Sequence, residues 1–251
     1  MTGRLADWHG ARMILAVFQR ELGKDSGERA LARACAERLK LKVLLLPSIC
    51  HLPDLHPVWK RLSGVETDLA VVPGIHPRPA SWLLRARGVN LPPERIMFFD
   101  PGQDMEKRLS ALQSMVGNKA EKKGVVEELF LGESMKERWY PVLDGGRCSR
   151  CGSCVEFCLF EVYARAEDGS VAVKQPDACK PGCPACSRIC PEGAIMFPLY
   201  DKDPAIAGVE GHVMRPVVRE QKADSKKSPP PQGRDEIDAL IEELDKRTEK
   251  F

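Results

Sequence analysis

The chain has 251 residues, of which 43% are hydrophobic and 29% charged, so it has enough apolar residues to build a folded core. Its 38 basic and 36 acidic side chains nearly cancel, and a net charge of +2 does not favour nucleic-acid binding. No apolar run approaches the roughly 18 residues of a membrane helix. Met13–Phe18 is too short for a signal-peptide core. We therefore expect a cytoplasmic protein without membrane insertion.

Residues 1–118 alternate short apolar runs with helical patterns. Four runs bounded by turn residues predict strands, and they are Met13–Phe18, Lys42–Leu46, Asp68–Val72 and Arg95–Phe99. Helices are predicted at Glu28–Leu41, Leu55–Leu62, Pro79–Arg87 and Met105–Met115. Asp25 and Glu28 predict a capping box at the first helix. This alternation predicts an α/β domain with a Rossmann-like parallel sheet of about four strands and helices on both faces.

The rest of the chain divides by composition. Residues 119–138 predict a connecting helix, because a weak helical stripe is formed by Val125, Val126, Leu129, Phe130 and Met135. Residues 139–215 form the cysteine-rich domain, and residues 216–233 are polar and proline-rich, which predicts a disordered linker. Residues 234–251 predict an amphipathic helix from Ile237, Leu240, Ile241 and Leu244. That helix could dock on its own protein or bind a redox partner.

Eight of the ten cysteines form two runs. The first run is Cys148, Cys151, Cys154 and Cys158; the second is Cys179, Cys183, Cys186 and Cys190, followed by Pro191. Three closely spaced cysteines suit one iron–sulfur cube, and a displaced fourth suits a neighbouring cube. The alternatives are structural zinc, which favours paired cysteines, a disulfide framework typical of secreted chains, and a redox Cys-x-x-Cys motif.

With these runs, residues 140–200 resemble the bacterial-type 2[4Fe-4S] (dicluster) ferredoxin domain. The resemblance implies a ferredoxin-like βαββαβ (α+β) layout, with strands at Tyr140–Asp144, Val162–Arg165, Val171–Lys174 and Ala194–Phe197. Asp168-Gly169 predicts the hairpin turn between the middle two. It also implies one cluster on Cys148, Cys151, Cys154 and Cys190, and another on Cys158, Cys179, Cys183 and Cys186. Two features depart from the family pattern: Leu159 replaces a frequent proline, and the spacer after Cys179 is one residue longer.

A second candidate site lies at the predicted carboxyl edge of the parallel sheet, where open α/β sheets bind ligands. The loops there carry Cys50, His51, His56, His76 and Arg78, together with Asp54. Imidazole and thiolate suit zinc, iron, nickel or copper, and an arginine suits an anionic substrate. Histidines beside prolines can equally cap turns. No nucleotide-binding fingerprint accompanies these residues.

These features predict an electron-transfer iron–sulfur protein with two [4Fe-4S] clusters as cofactors. It would be an accessory ferredoxin-type subunit, or the donor, of a cytoplasmic oxidoreductase, and the terminal helix would recruit that partner. No catalytic residue is assigned, because an electron carrier or redox subunit fits better than a stand-alone enzyme. The alternative is an iron–sulfur enzyme with a metal or substrate site at the strand ends of the α/β domain. A third possibility is that the clusters are structural only.

Overall fold

The computed structural model describes residues 13–19, 27–99, 103–117, 122–129 and 138–214. Contacts divide the chain into the units Met1–Pro216 and Val217–Phe251, and every described residue belongs to the first unit. The linker predicted at 216–233, the helix predicted at 234–251 and the capping residue Asp25 lie outside the described residues.

A parallel sheet of five strands forms the centre of the N-terminal part. The strands are β1 Met13–Phe18, β2 Lys42–Leu46, β3 Asp68–Val72, β4 Ile96–Phe98 and β5 Val125–Glu128, in the spatial order β4-β3-β1-β2-β5. The central strand β1 is buried along its whole length, as expected for an apolar run covered on both faces. The prediction of an α/β fold is therefore confirmed, and the sheet has one strand more than expected.

The additional strand, β5, replaces part of the predicted connecting helix. Val125 and Val126 pair in parallel with Lys42 and Val43 of β2. The approach to this edge requires Gly124, because a Cβ atom there would lie 1.8 Å from the carbonyl oxygen of Ala36. The helix predicted over 119–138 is thus wrong at residues 125–128, where pairing with the open edge of β2 outweighs a weak helical stripe.

Two helices cover each face of the sheet, as the sequence predicts. They are α1 Gly27–Leu39, α2 Pro57–Ser63, α3 Pro77–Ala86 and α4 Met105–Val116. Alternate residues of β1 point to opposite faces, so Leu15 packs with α1 and α4, whereas Phe18 packs with α2 and α3. Both α2 and α3 begin at a proline, which suits the first position of a helix. Among the described helices, none is long and apolar enough to cross a membrane.

Residues 138–214 contain shorter elements. They are β6 Val142–Leu143, α5 Ser153–Phe157, β7 Tyr163–Arg165, β8 Val171–Val173, α6 Ala185–Ile189, β9 Ile195–Met196 and α7 Pro204–Ala207. Strand β6 pairs antiparallel with β9, and β7 forms the predicted hairpin with β8. Glycine 169 supplies the positive φ of +77° that this turn needs. Except for α7, the elements follow the order predicted for residues 140–200.

The cysteine-rich part shares a hydrophobic core with one face of the sheet. Tyr140, Val142 and Met196 belong to the same buried cluster as α2, α3 and alternate residues of β1. The indole of Trp82 on α3 lies over Gly145 and Gly146, where a Cβ atom would approach it to 3.1 Å and 3.4 Å. The two parts were predicted as separate domains, but their common core makes them neighbours within one unit.

Candidate metal centre

The eight clustered cysteines gather in two groups, and each group draws on both runs. The thiol of Cys154 is influenced electrostatically by Cys148, Cys151 and Cys190. The thiol of Cys186 is influenced in the same way by Cys158, Cys179 and Cys183. We call these four-residue sets the first and the second cysteine group. They are the sets that the ferredoxin resemblance implies, and Cys179 lies in the second despite its longer spacer.

All four cysteines of the first group line one small cavity that is partly open to solvent. Its loop turns through two positive φ angles, 61° at Arg150 and 85° at Gly152. The amide of Ala194 donates to the Cys190 sulfur at 3.3 Å, and the Ser153 hydroxyl lies 3.4 Å from the Cys151 sulfur. The four thiols of this group therefore converge on one cavity at the protein surface.

Burial and the neighbouring thiols oppose ionisation of Cys154, at the centre of this group. Burial raises the pKa of Cys154 to about 11, and the neighbouring Cys190 and Cys148 add to the effect. At the exposed rim, hydrogen bonds from Ser153 lower the pKa of Cys151. A metal ligand must be a thiolate, so a cationic group is needed to stabilise the buried members in that form.

Two aromatic side chains with hydrogen-bond donors lie beside the second group. Burial raises the pKa of Cys186 to about 12 and that of Cys179 to about 11. The Tyr163 hydroxyl donates to the Cys186 sulfur at 3.0 Å. The ring of Trp139 stacks on Phe197 with centroids 5.1 Å apart. Cys186 is buried in these surroundings, whereas Cys158, Cys179 and Cys183 are partly exposed.

The indole N–H of Trp139 indicates whether the surroundings of the second group suit an iron–sulfur cluster. It lies beside Cys179 and lowers the pKa of that thiol, against the larger effect of burial. Within the described residues, however, this buried nitrogen has no hydrogen bond of ordinary geometry. A buried indole N–H beside a cysteine sulfur is a donor that the sulfur atoms of an iron–sulfur cluster and its ligands can accept from. The donor set and its surroundings therefore fit such a cluster.

The structure also bears on the other roles considered for the cysteines, such as a disulfide framework. None of the ten cysteines, all of which are described, forms a disulfide. In the described ranges, no group of three or more His, Cys, Asp or Glu residues is placed to hold a metal ion. The cysteines are therefore free thiols, and they do not form the disulfide framework typical of secreted chains.

The structure uses the residues of the second candidate site for other purposes. His56 caps α2, because its Nδ1 accepts from the Val58 amide at 3.2 Å. His76 is the N-cap residue of α3, and its carbonyl oxygen accepts from Ala80. Both histidines therefore belong to helix starts.

The remaining members of that set are buried or engaged. His51 is buried, and burial raises the pKa of the Cys50 thiol to about 12. Arg78 bonds Asp144 of the cysteine-rich part at 2.8 Å. The metal or substrate site at this edge therefore stays a prediction. In the structure, His56 and His76 belong to helix starts, and Arg78 contacts the cysteine-rich part.

Sequence reasoning missed the residues that surround the cysteine groups. Tyr163 and Trp139 lie beside the sulfur atoms, and Arg78 reaches the loops that carry Cys148 and Cys190. Aromatic residues are only 6% of the chain, so their concentration near the cysteine runs was a usable signal. The Arg78 contact had no such signal, because its partner is 66 residues away.

Comparison with known proteins adds one informative relative. No family model matches the chain. Over 78 residues the chain is 45% identical to an uncharacterized ferredoxin of Methanocaldococcus jannaschii. Part of this chain is therefore related to a ferredoxin. The match covers 29% of this chain and 52% of the relative, so the chain spans about half the length of that protein and most of its own residues lie outside the match.

Proposed function

We propose that the protein transfers electrons through two [4Fe-4S] clusters, one on each cysteine group. The main support for this proposal is that the fourth cysteine of each run belongs to the group formed mainly by the other run. Cys190 of the second run joins the first group, and Cys158 of the first run joins the second. Two neighbouring cubes need this crossing, because each loop surrounds one cube while its following helix reaches the other. A pair of independent zinc sites does not need it.

The surroundings of the groups suit redox chemistry. Hydrogen bonds to the sulfur atoms, charge and solvent exposure set the potential of such clusters. Tyr163 and the Ala194 amide supply hydrogen bonds of this kind, one to each group. Cys151 is exposed, so the first group lies close enough to the surface for electron exchange with another protein. The named function of the related ferredoxin supports the same role.

The role that fits best is an accessory ferredoxin-type subunit, or a donor, for a cytoplasmic oxidoreductase. The structural use of His56 and Arg78 weighs against an enzyme site at the sheet edge. Recruitment of the partner by residues 234–251 stays a prediction, since they lie outside the described residues.

The test is to count iron and acid-labile sulfide in the full chain after anaerobic purification, with low-temperature EPR after dithionite reduction. We expect about eight irons and eight sulfides per chain, and a spectrum of two coupled clusters. Cys190→Ala and Cys158→Ala should each lose about four irons. Cys35→Ala is the matched control, because this buried thiol lies in α1 and should leave the iron content unchanged. Bound zinc without sulfide, or about four irons in the unsubstituted chain, would overturn the proposal.

A further inference from the structure

One arginine of the α/β part joins the two loops that carry the first cysteine group. Arg78, in the first turn of α3, donates from Nε to Asp144 Oδ2 at 2.8 Å. The same guanidinium donates from Nη2 to the carbonyl oxygen of Gly193 at 2.9 Å. Asp144 lies four residues before Cys148, and Gly193 lies three residues after Cys190. A single side chain therefore connects chain segments next to ligands from different runs.

Asp144 organises the turn that leads to Cys148. Its Oδ1 accepts from the amides of Gly146 and Arg147 at 3.0 Å and 3.2 Å. Its carbonyl oxygen accepts from the Cys148 amide at 3.0 Å, and its own amide donates to Ala194 at 2.8 Å. The position of Cys148 therefore depends on where this carboxylate and its backbone are held.

Gly193 plays the corresponding part at the end of the second run. Its amide donates to the carbonyl oxygen of Cys190, and the next amide, that of Ala194, donates to the Cys190 sulfur. Gly193 has a φ of +56°, and a Cβ atom there would lie 2.5 Å from the carbonyl oxygen of Met214. This tight turn fixes Cys190, and Arg78 donates to the Gly193 carbonyl oxygen of the same turn.

The ion pair is sheltered from water, which distinguishes it from the ion pair of Arg138 with Asp54, which also joins the two parts. The side chains of Arg78 and Asp144 are 13% and 8% exposed. The side chain of Asp54 is 52% exposed. Removing one member of a sheltered pair leaves the other charge without compensation, whereas an exposed pair contributes little.

We propose that Arg78 is a positioning residue for the first cluster. It holds the loops of Cys148 and Cys190 at a fixed separation and compensates the charge of Asp144 near the cluster. The inference rests on the proposed function, because it requires a cluster in the first group. Two acceptors on different segments need the planar fork of arginine, which the compact ammonium of lysine cannot reproduce. The α/β part then helps to build the redox site instead of only carrying it.

The experiment compares Arg78→Gln and Asp144→Asn with the unsubstituted full chain. Both variants should release about half of their iron to a chelator roughly 10- to 100-fold faster, as for other residues that support metal ligands. The midpoint potential of one cluster should fall in Arg78→Gln, where Asp144 keeps only the longer ion pair with the exposed Arg147 at 3.8 Å. It should rise in Asp144→Asn, where the charge of Arg78 loses its carboxylate. The potential of the other cluster should stay unchanged.

Arg95→Gln is the matched control. The Arg95 guanidinium donates to the carbonyl oxygens of Val65 and Thr67 at 2.9 Å each, within the α/β part. This variant should keep the iron-release rate and both potentials. If it releases iron as fast as Arg78→Gln, general loss of stability explains the effect and the inference is overturned.

The remaining outcomes separate this inference from the proposed function. Eight irons in the unsubstituted chain, with release rates and potentials unchanged in both variants, would overturn only the role of Arg78. Potential shifts of the same sign in both variants would also overturn it. An unsubstituted chain without iron and sulfide would remove the proposed function itself. If Arg78→Gln fails to fold, Arg78→Lys takes its place in the experiment. The lysine charge should keep the midpoint potential unchanged. Loss of the hydrogen bond to the Gly193 carbonyl oxygen should accelerate iron release.

Discussion

The α/β part and the cysteine-rich part are held together by different means. The sheet of the α/β part lies between two layers of helices, and Leu15, Leu45 and Val71 are at most 1% exposed. In the cysteine-rich part the longest strand has three residues. Its hydrophobic cluster includes three of the cysteines themselves, Cys154, Cys186 and Cys190. Apolar burial therefore stabilises the first part, whereas in the second part thiols that we propose as cluster ligands occupy core positions.

This difference implies that the two parts depend on the cofactor to different degrees. Buried thiols such as Cys154 and Cys186 have raised pKa values, so they are neutral and weakly polar without a bound metal. The four thiols of the first group then line a small cavity that is partly open to solvent. Binding energy from a cluster is also folding energy for a site of this kind.

Cluster removal should produce the largest effect and would test the comparison directly. After chelation under reducing conditions, amide hydrogen exchange at 142–200 should become nearly as fast as in an unfolded chain. The amides of β1, β2 and β3 should stay protected, because neither hydrophobic cluster around these strands contains a cysteine of the two groups. Exchange measured by mass spectrometry on holo and apo protein would decide this.

Reconstitution with iron and sulfide is the control, and it should restore protection at 142–200. Helix α3 should show an intermediate response, because it packs on the core that contains Tyr140 and Val142. Equal protection of 142–200 with and without clusters would show that both parts are stabilised by apolar burial, contrary to the comparison.

Alanine substitutions at two glycines would show how closely Arg165 packs against the loop of the first cysteine group. Gly152 and Gly169 both have positive φ, 85° and 77°, so alanine at either position should cost about 1–2 kcal/mol of unfolding free energy. At Gly152 the new Cβ would also lie 1.7 Å from Arg165 Nη2. That guanidinium would have to leave the carbonyl oxygens of Arg150 and Cys151, which it bonds at 3.0 Å and 3.2 Å.

Gly152→Ala should therefore cost about 1 kcal/mol more than Gly169→Ala, and it alone should speed iron release. Gly169 is the matched control, because a Cβ atom there meets no atom within 4 Å. Urea unfolding gives the free energies, and the chelator assay gives the release rates. Equal iron release from both variants would mean that Arg165 does not support the loop.

The same contrast explains how much of the fold could be predicted from the sequence. Continuous apolar runs such as Lys42–Leu46 identify strands buried on both faces, and the first four strands were found in this way. Strand β5 was missed, because its local pattern is ambiguous and its pairing with β2 depends on residues 83 positions away. The spatial order of the strands likewise depends on tertiary packing that no local pattern reveals.

The site shows a similar division. The spacing of the cysteines predicts two crossed groups, because that spacing directly reflects the geometry of a cube and its neighbour. The residue type of Arg78 and His56, in contrast, predicts ligand binding, whereas the structure uses them for an ion pair and a helix cap. Their partners decide their roles, and the partner of Arg78 is distant in sequence. Isolated polar residues on loops are therefore much less informative than a spaced set.

The cap at His56 gives the smallest expected effect and lies wholly within the α/β part. The neutral Nδ1 of His56 accepts from the Val58 amide, so His56→Ala should cost about 1 kcal/mol of unfolding free energy. His56→Asn is the control, because asparagine also caps helices. Burial lowers the pKa of His56 from 6.5 in the folded protein. Its stabilisation is therefore present above pH 6.5 and is lost as pH falls through the folded pKa, since the unfolded chain binds the proton more tightly.

Urea unfolding at several pH values, followed by the fluorescence of Trp59 on α2, would measure this effect. The stability of the unsubstituted chain should decrease more steeply than that of His56→Asn as the pH falls below 6.5. Iron content should be the same in both proteins near neutral pH, because the cap has no contact with the cysteine groups. Parallel pH profiles would show that His56 does not titrate as a cap. Loss of iron in His56→Asn would show instead that the sheet edge and the clusters are coupled more strongly than their contacts indicate.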